Sequence, residues 1–106
     1  MGKESSGSLD LAVKVEGELT GTGQSLSEIF TGRFNVSIFG EFTAEIQLER
    51  SFDGGAAWVV CTDDSGTKHS WTKAISIIAN EPEHNVHYRL NCTSYTSGTI
   101  SYRISQ

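Results

Sequence analysis

The chain has 106 residues, enough for one hydrophobic core and too few for two. Its net charge is -5, and its eight Lys and Arg are scattered, which argues against a nucleic-acid partner whose phosphates demand a basic face. No run of about 18 apolar residues is present to span a bilayer. The 11 Gly and single Pro suit short strands joined by tight turns.

Met1–Ser8 (MGKESSGS) is polar and lacks the apolar stretch of a secretory signal, so we expect a chain made and kept in a cytoplasm. Leu9, Leu11, Val13 and Val15 alternate with Asp10, Ala12 and Lys14, and this period of two predicts a half-buried strand. Gly17–Gly23 (GELTGTG) breaks the pattern. Residues 1–23 are therefore expected to form an N-terminal arm with a short strand, suited to docking, and residues 24–106 the folded domain. Ser25–Phe30 fits either a helical turn or a strand.

Phe34, Val36 and Ile38 alternate with Asn35 and Ser37, and Gly40 interrupts them. Phe42, Ala44, Ile46 and Leu48 then alternate with Thr43, Glu45, Gln47 and Glu49, so Glu45 and Glu49 are expected on a face that meets water or a partner. Asp53-Gly54-Gly55 signals a turn, and Trp58–Cys61 a short strand. Thr62–Lys68 reads as a polar loop. Ser70–Ala79 is read as a strand rather than a helix because it is rich in Ile and Thr. Asn80–Asn85, marked by Pro82, is a loop. Val86, Tyr88, Leu90 and Cys92 share one face, and Ile100, Tyr102 and Ile104 share another. Ser97-Gly98 is the expected turn of a hairpin between them. Arg89 and Arg103 fall on the opposite, polar faces, near each other or near Glu45 and Glu49. Seven or eight short strands predict an all-β fold, a small two-sheet antiparallel sandwich of jelly-roll or Ig-like type.

Few residues suggest chemistry. Two cysteines, Cys61 and Cys92, are too few for a disulfide framework; buried free thiols are the simpler expectation and a bridge the alternative. His84 and His87 with Glu81 and Glu83 have weak metal spacing, since strand positions three apart face opposite sides. No Ser sits in a G-x-S-x-G elbow, and no Gly-rich phosphate loop ends in Lys. We expect no enzyme activity, no cofactor and no metal. Phe39, Trp71 and Tyr95 are the aromatics that the alternation does not place inside. A shared exposed face would suit a subunit interface or a stacked sugar ring, while core packing is the simpler expectation for Trp71.

Ser51-Phe52-Asp53-Gly54-Gly55-Ala56-Ala57-Trp58 resembles the Asp-box, S-x-D-x-G-x-T-W, with Ala57 in place of Thr. Asp53 can accept bonds from N–H groups of its own turn, Gly55 can take positive φ, and Trp58 can pack beneath, with Ser51 closing the loop. A single copy rules out a propeller, and a structural staple is expected. Cys92–Gln106 (CTSYTSGTISYRISQ), the Phe34–Trp58 pattern, and Glu81-Pro82-Glu83 followed by Tyr88-Arg89 resemble small structural proteins of tailed bacteriophages, over residues 32–106. That resemblance implies a virion role: a head decoration (cement) protein on the capsid lattice, or a small tail or neck component. It also implies a symmetric homo-oligomer, with a trimer suited to three-fold lattice sites. The alternative is a carbohydrate-binding module for a host-surface glycan. A glycan-cleaving enzyme is suggested only by the Asp-box.

Overall fold

The computed structural model describes residues 13–106. Ten strand segments follow in order: β1 Lys14–Leu19, β2 Gly23–Gln24, β3 Glu28–Ile29, β4 Gly32–Phe39, β5 Phe42–Ser51, β6 Val59–Val60, β7 Ser70–Trp71, β8 Ile75–Glu81, β9 His87–Gly98 and β10 Ile100–Ser105. They form two antiparallel sheets. The first has the order β1-β10-β4-β8, and the second has β2-β9-β5-β6 with β3 also on β9 and β7 also on β5.

Ten segments against seven or eight expected has a local cause. β2 and β3 both pair with β9, and Ser25 N–H donates to Leu90 O between them at 2.8 Å. They are one strand interrupted at Leu26 and Ser27. β6 and β7 both pair with β5, and the ladder is carried between them by Cys61 N–H to Leu48 O (2.9 Å) and Leu48 N–H to His69 O (3.0 Å). Residues 62–68 bulge out of that strand as a closed excursion, pinched by pairing of Thr62 with Lys68. Joining each pair of halves leaves eight strands, ordered 1-8-3-6 in one sheet and 2-7-4-5 in the other. This is the order of a jelly roll.

The core is the two inner faces. Val15, Phe34, Val36, Ile38, Ile100, Tyr102 and Ile104 from the first sheet meet Ala44, Ile46, Leu48, Tyr88, Leu90 and Cys92 from the second. Phe30, Phe34 and Tyr88 close one end, with the Phe30 and Phe34 rings stacked at 5.1 Å and Tyr88 tilted 4.6 Å from Phe34.

Three expectations change. Lys14–Leu19 and Gly23–Gln24 belong to the sheets, because Val15 is a core residue and β1 pairs with β10 over its whole length. The sandwich thus reaches back across the boundary set at residue 23; residues 1–12, where the rest of the arm and its strand were placed, lie outside the described residues. The hairpin expected at Ser97-Gly98 is instead a crossover: β9 lies in the second sheet and β10 in the first. Gly98 has φ 96°, but the chain turns a corner there rather than reversing. The β4–β5 link at Gly40 (φ 106°) makes the same corner. The two corners pack back to back: a Cβ on Gly40 would lie 2.6 Å from Thr99 O, and one on Gly98 would lie 2.5 Å from Phe42 Cα and strike Glu41 O. Thr99 N–H donates to Glu41 O at 3.1 Å, and Tyr95 donates its hydroxyl to Gly98 O at 2.6 Å. Finally, Glu49 is buried rather than facing water.

Candidate functional site

The Ser51–Trp58 turn is built as a staple on the outer face of the second sheet. Ser51 is fully buried; its hydroxyl donates to Asp53 Oδ1 (2.7 Å) and accepts from Gly55 N–H (2.8 Å). Asp53 Oδ1 accepts from Ala57 N–H at 2.9 Å, closing the far side of the turn. That bond and the Ser51 hydroxyl hold the Asp53 carboxyl below the usual range. Gly55 takes φ 98°. Trp58 folds back and donates its indole N–H to Gly55 O at 3.0 Å. Ser51, Asp53, Gly55 and Trp58 thus close one turn between β5 and β6, and Ala57 makes its bond in that turn through the backbone N–H.

Trp58 then covers Arg89, whose guanidinium carbon lies 4.1 Å from the ring centre. Arg89 Nε donates to Glu49 Oε1 at 2.8 Å, and Asn91 and Gln47 donate to Glu49 Oε2 at 2.9 and 2.7 Å. Burial pushes the Glu49 carboxyl up, but these three donors outweigh it and leave its pKa lowered. Of the two acids expected on this face, Glu45 stays exposed and accepts from Ser70 Oγ at 2.8 Å. Glu49 is hidden because the turn lays Trp58 over the Arg89 that pairs with it. Arg103 sits on the other sheet and pairs with Glu16 at 2.8 Å.

A second polar cluster was not anticipated. Arg50, Glu81 and Tyr88 all continue inward-facing alternations of their strands, and they meet at the rim of the core. Glu81 Oε1 accepts from Arg50 Nη1 and from the Tyr88 hydroxyl, both at 2.6 Å, and Oε2 accepts from Glu83 N–H at 3.0 Å. Burial raises the Glu81 pKa, and the donors bring it to a net lowering. Burial and the Glu81 carboxylate together push the Tyr88 hydroxyl up, so it remains a donor. The signal was available: Ile75, Ile77 and Ala79 lead by twos to Glu81, and Ile46 and Leu48 lead to Arg50. Asp63, in the polar loop expected at Thr62–Lys68, has a structural role of its own. Its Oδ1 accepts from Ser65 N–H and Thr67 N–H at 2.9 and 3.0 Å, so it pins the 62–68 excursion as Asp53 pins its own turn.

Beside the Arg50 cluster, the two sheets part at β8 and β6 to leave a cavity of about 390 Å³, lined by Leu48, Arg50, Val59, Cys61, His69 and Ile78 among others. Cys61 and Cys92 are both free thiols. Burial pushes the Cys61 thiol up to about 12, far from a neutral-pH nucleophile.

The aromatics Phe39, Trp71 and Tyr95 are not brought together. Trp71 and Tyr95 are half-buried, pair with Ile46 and Ala44 respectively, and pack against the core. A bulge in β9 turns Tyr95 inward, three residues after the inward Cys92. Phe39 lies on the outer face of the first sheet and is 51% exposed. His84 and His87 gather no third ligating side chain among the described residues, and their neighbour Glu81 is held by Arg50.

The site geometry thus defines a jelly-roll domain whose buried carboxylates are committed to holding turns and cations in place. No protein-family model, no curated protein and no solved structure matches the chain.

Proposed function

We propose that this chain is a non-catalytic structural protein of a bacteriophage particle, either a head decoration protein on the capsid lattice or a small tail or neck component. The observation that carries the proposal is the outer face of the first sheet. Towards β4 and β8 it carries small polar residues, with Ser37 bonded to Asn35 and to Ser76 (2.8 Å each), and the exposed apolar side chains of Phe39 and Ile78, while the charges of Lys14, Glu16 and Arg103 pair with one another on the β1 side. Such a surface suits protein contact better than solvation or catalysis. The jelly-roll order adds support by analogy, since viral capsid domains reuse it. Lectins use it too, but a glycan-binding module draws less support, because Trp71 and Tyr95 face the core and Phe39 stands alone.

The test is quantitative mass spectrometry of gradient-purified particles of the phage that carries this gene. A copy number at a fixed ratio to the major capsid or tail protein is expected. Absence from intact particles would refute the virion reading, and specific retention on a glycan array in that case would favour the alternative.

A further inference from the structure

The described residues leave four sheet edges, and they are not equally protected. In the second sheet both edge strands are interrupted, β2/β3 by residues 26–27 and β6/β7 by the 62–68 excursion. In the first sheet β1 (KVEGEL) carries Lys14, Glu16 and Glu18 around Gly17. These are the usual devices against unwanted strand pairing. The fourth edge, β8 (ISIIANE), has none of them. Its seven residues follow β4 without a register shift, it holds no Lys, Pro or Gly, and its one charge, Glu81, is buried in the Arg50 ion pair. Ile78 at its centre is 67% exposed on the outer face. Val59, 53% exposed, lies across the cavity mouth beside it.

We propose that β8 pairs with β8 of a second copy, antiparallel about a two-fold axis at Ile78, joining the two first sheets into one of eight strands. The register argues for a second copy as the occupant. β8 has an odd number of residues with Ile78 in the middle, so each Ile78 meets the partner's Ile78. On the same face Ser76 meets the partner's Asn80, a small polar pair. Just beyond the strand ends, exposed Lys73 falls opposite the partner's Glu83, and symmetry repeats this pair at the other end. Apolar centre, polar flank and opposite charges at both ends are thus self-complementary in one register. A slip by one residue would take each Ile78 off the axis and turn each copy's outer side chains toward the other's inner ones. The inference rests on the reading of the first sheet's outer face as a protein-contact surface and not on the virion role.

The test is the mass of the full chain by light scattering after size exclusion, at about 50 µM, a concentration at which a micromolar contact is mostly formed. A dimer is expected. Ile78→Lys, at an exposed position that leaves the fold intact by circular dichroism, should give a monomer. Lys73→Glu and Glu83→Lys should each weaken association about tenfold, since each sets like charges opposite in two places. Mixing those two variants should restore a dimer, because the mixed pair has opposite charges at both ends. A wild-type monomer overturns the proposal, including one whose β8 amides are protected from hydrogen exchange by residues 1–12. A dimer indifferent to Ile78→Lys and to the charge reversals overturns it as well, as does a trimer. Detection in particles is a separate measurement, so loss of either reading leaves the other visible.

Discussion

Gly98→Ala tests the back-to-back crossovers most directly. Two costs add. An L-residue held at φ 96° costs about 1–2 kcal/mol. The new methyl would also lie 2.5 Å from Phe42 Cα and strike Glu41 O, and both are backbone atoms that no rotamer change can move aside. Relief requires shifting one corner against the other, and overpacking of this kind costs about 1–3 kcal/mol more. The sum, about 2–5 kcal/mol, is a large share of the roughly 5–15 kcal/mol that holds a domain together. A fall in Tm of about 10 °C or more is expected, read by circular dichroism or tryptophan fluorescence. Gly66→Ala is the internal control. Gly66 has φ 84°, but a Cβ there would meet nothing within 4 Å, so only the conformational cost applies. If Gly98→Ala loses no more stability than Gly66→Ala, the corners do not bear on one another as described.

Ser51→Ala removes the hydroxyl that Gly55 N–H and Asp53 share, and should cost about 1–2 kcal/mol in urea unfolding with the slope unchanged. An unchanged midpoint would mean that the turn closes without it. Arg89→Met leaves Glu49, 5% exposed, without its cation and should cost about 2–3 kcal/mol. Adding Glu49→Gln should recover part of this loss, and a double variant less stable than the single one would contradict the ion-pair account. Glu49 and Glu81 both have lowered folded-state pKa values, so the unfolded chain binds their protons more readily. Their contribution is complete above the ordinary carboxylate range, about pH 4–5, and is lost as pH falls through the folded values. Glu81→Gln should therefore be less stable at neutral pH yet lose less on acidification, and parallel stability–pH curves would exclude Glu81 as a source of the acid sensitivity.

Period-two alternation read the interior well. Phe34, Val36 and Ile38, Ile46 and Leu48, Tyr88, Leu90 and Cys92, and Ile100, Tyr102 and Ile104 are all inward and buried. The partner of each strand was less legible. Gly98 announces positive φ but does not distinguish a reversal from a corner, because what selects the corner is the backbone of residues 41 and 42, far away in sequence. Glu49 was misplaced for a related reason: alternation assigns a face and not what lies on it, and here a turn from the same strand lays Trp58 over that face. The Arg50–Glu81–Tyr88 cluster was within reach of the same counting rule. What hides it is Pro82, which marks Asn80–Asn85 as a loop although β8 runs on to Glu81. Trp71 and Tyr95 eluded the rule because an interrupted strand and a bulge shift the count.

The pairing of β1 with β10 places the two ends of the described chain together, with Lys14 opposite Ser105 and Gln106 N–H bonded to Val13 O at 2.9 Å. The Gly40 and Gly98 corners lie at the other end of the same sheet. The domain therefore has two poles. Residues 13 and 106 lie together at one pole, so segments joined at either position would be tethered from the same side. A short linker from 106 to 13 could close the chain, and new termini could be opened in the exposed 62–68 excursion with the ladder left whole.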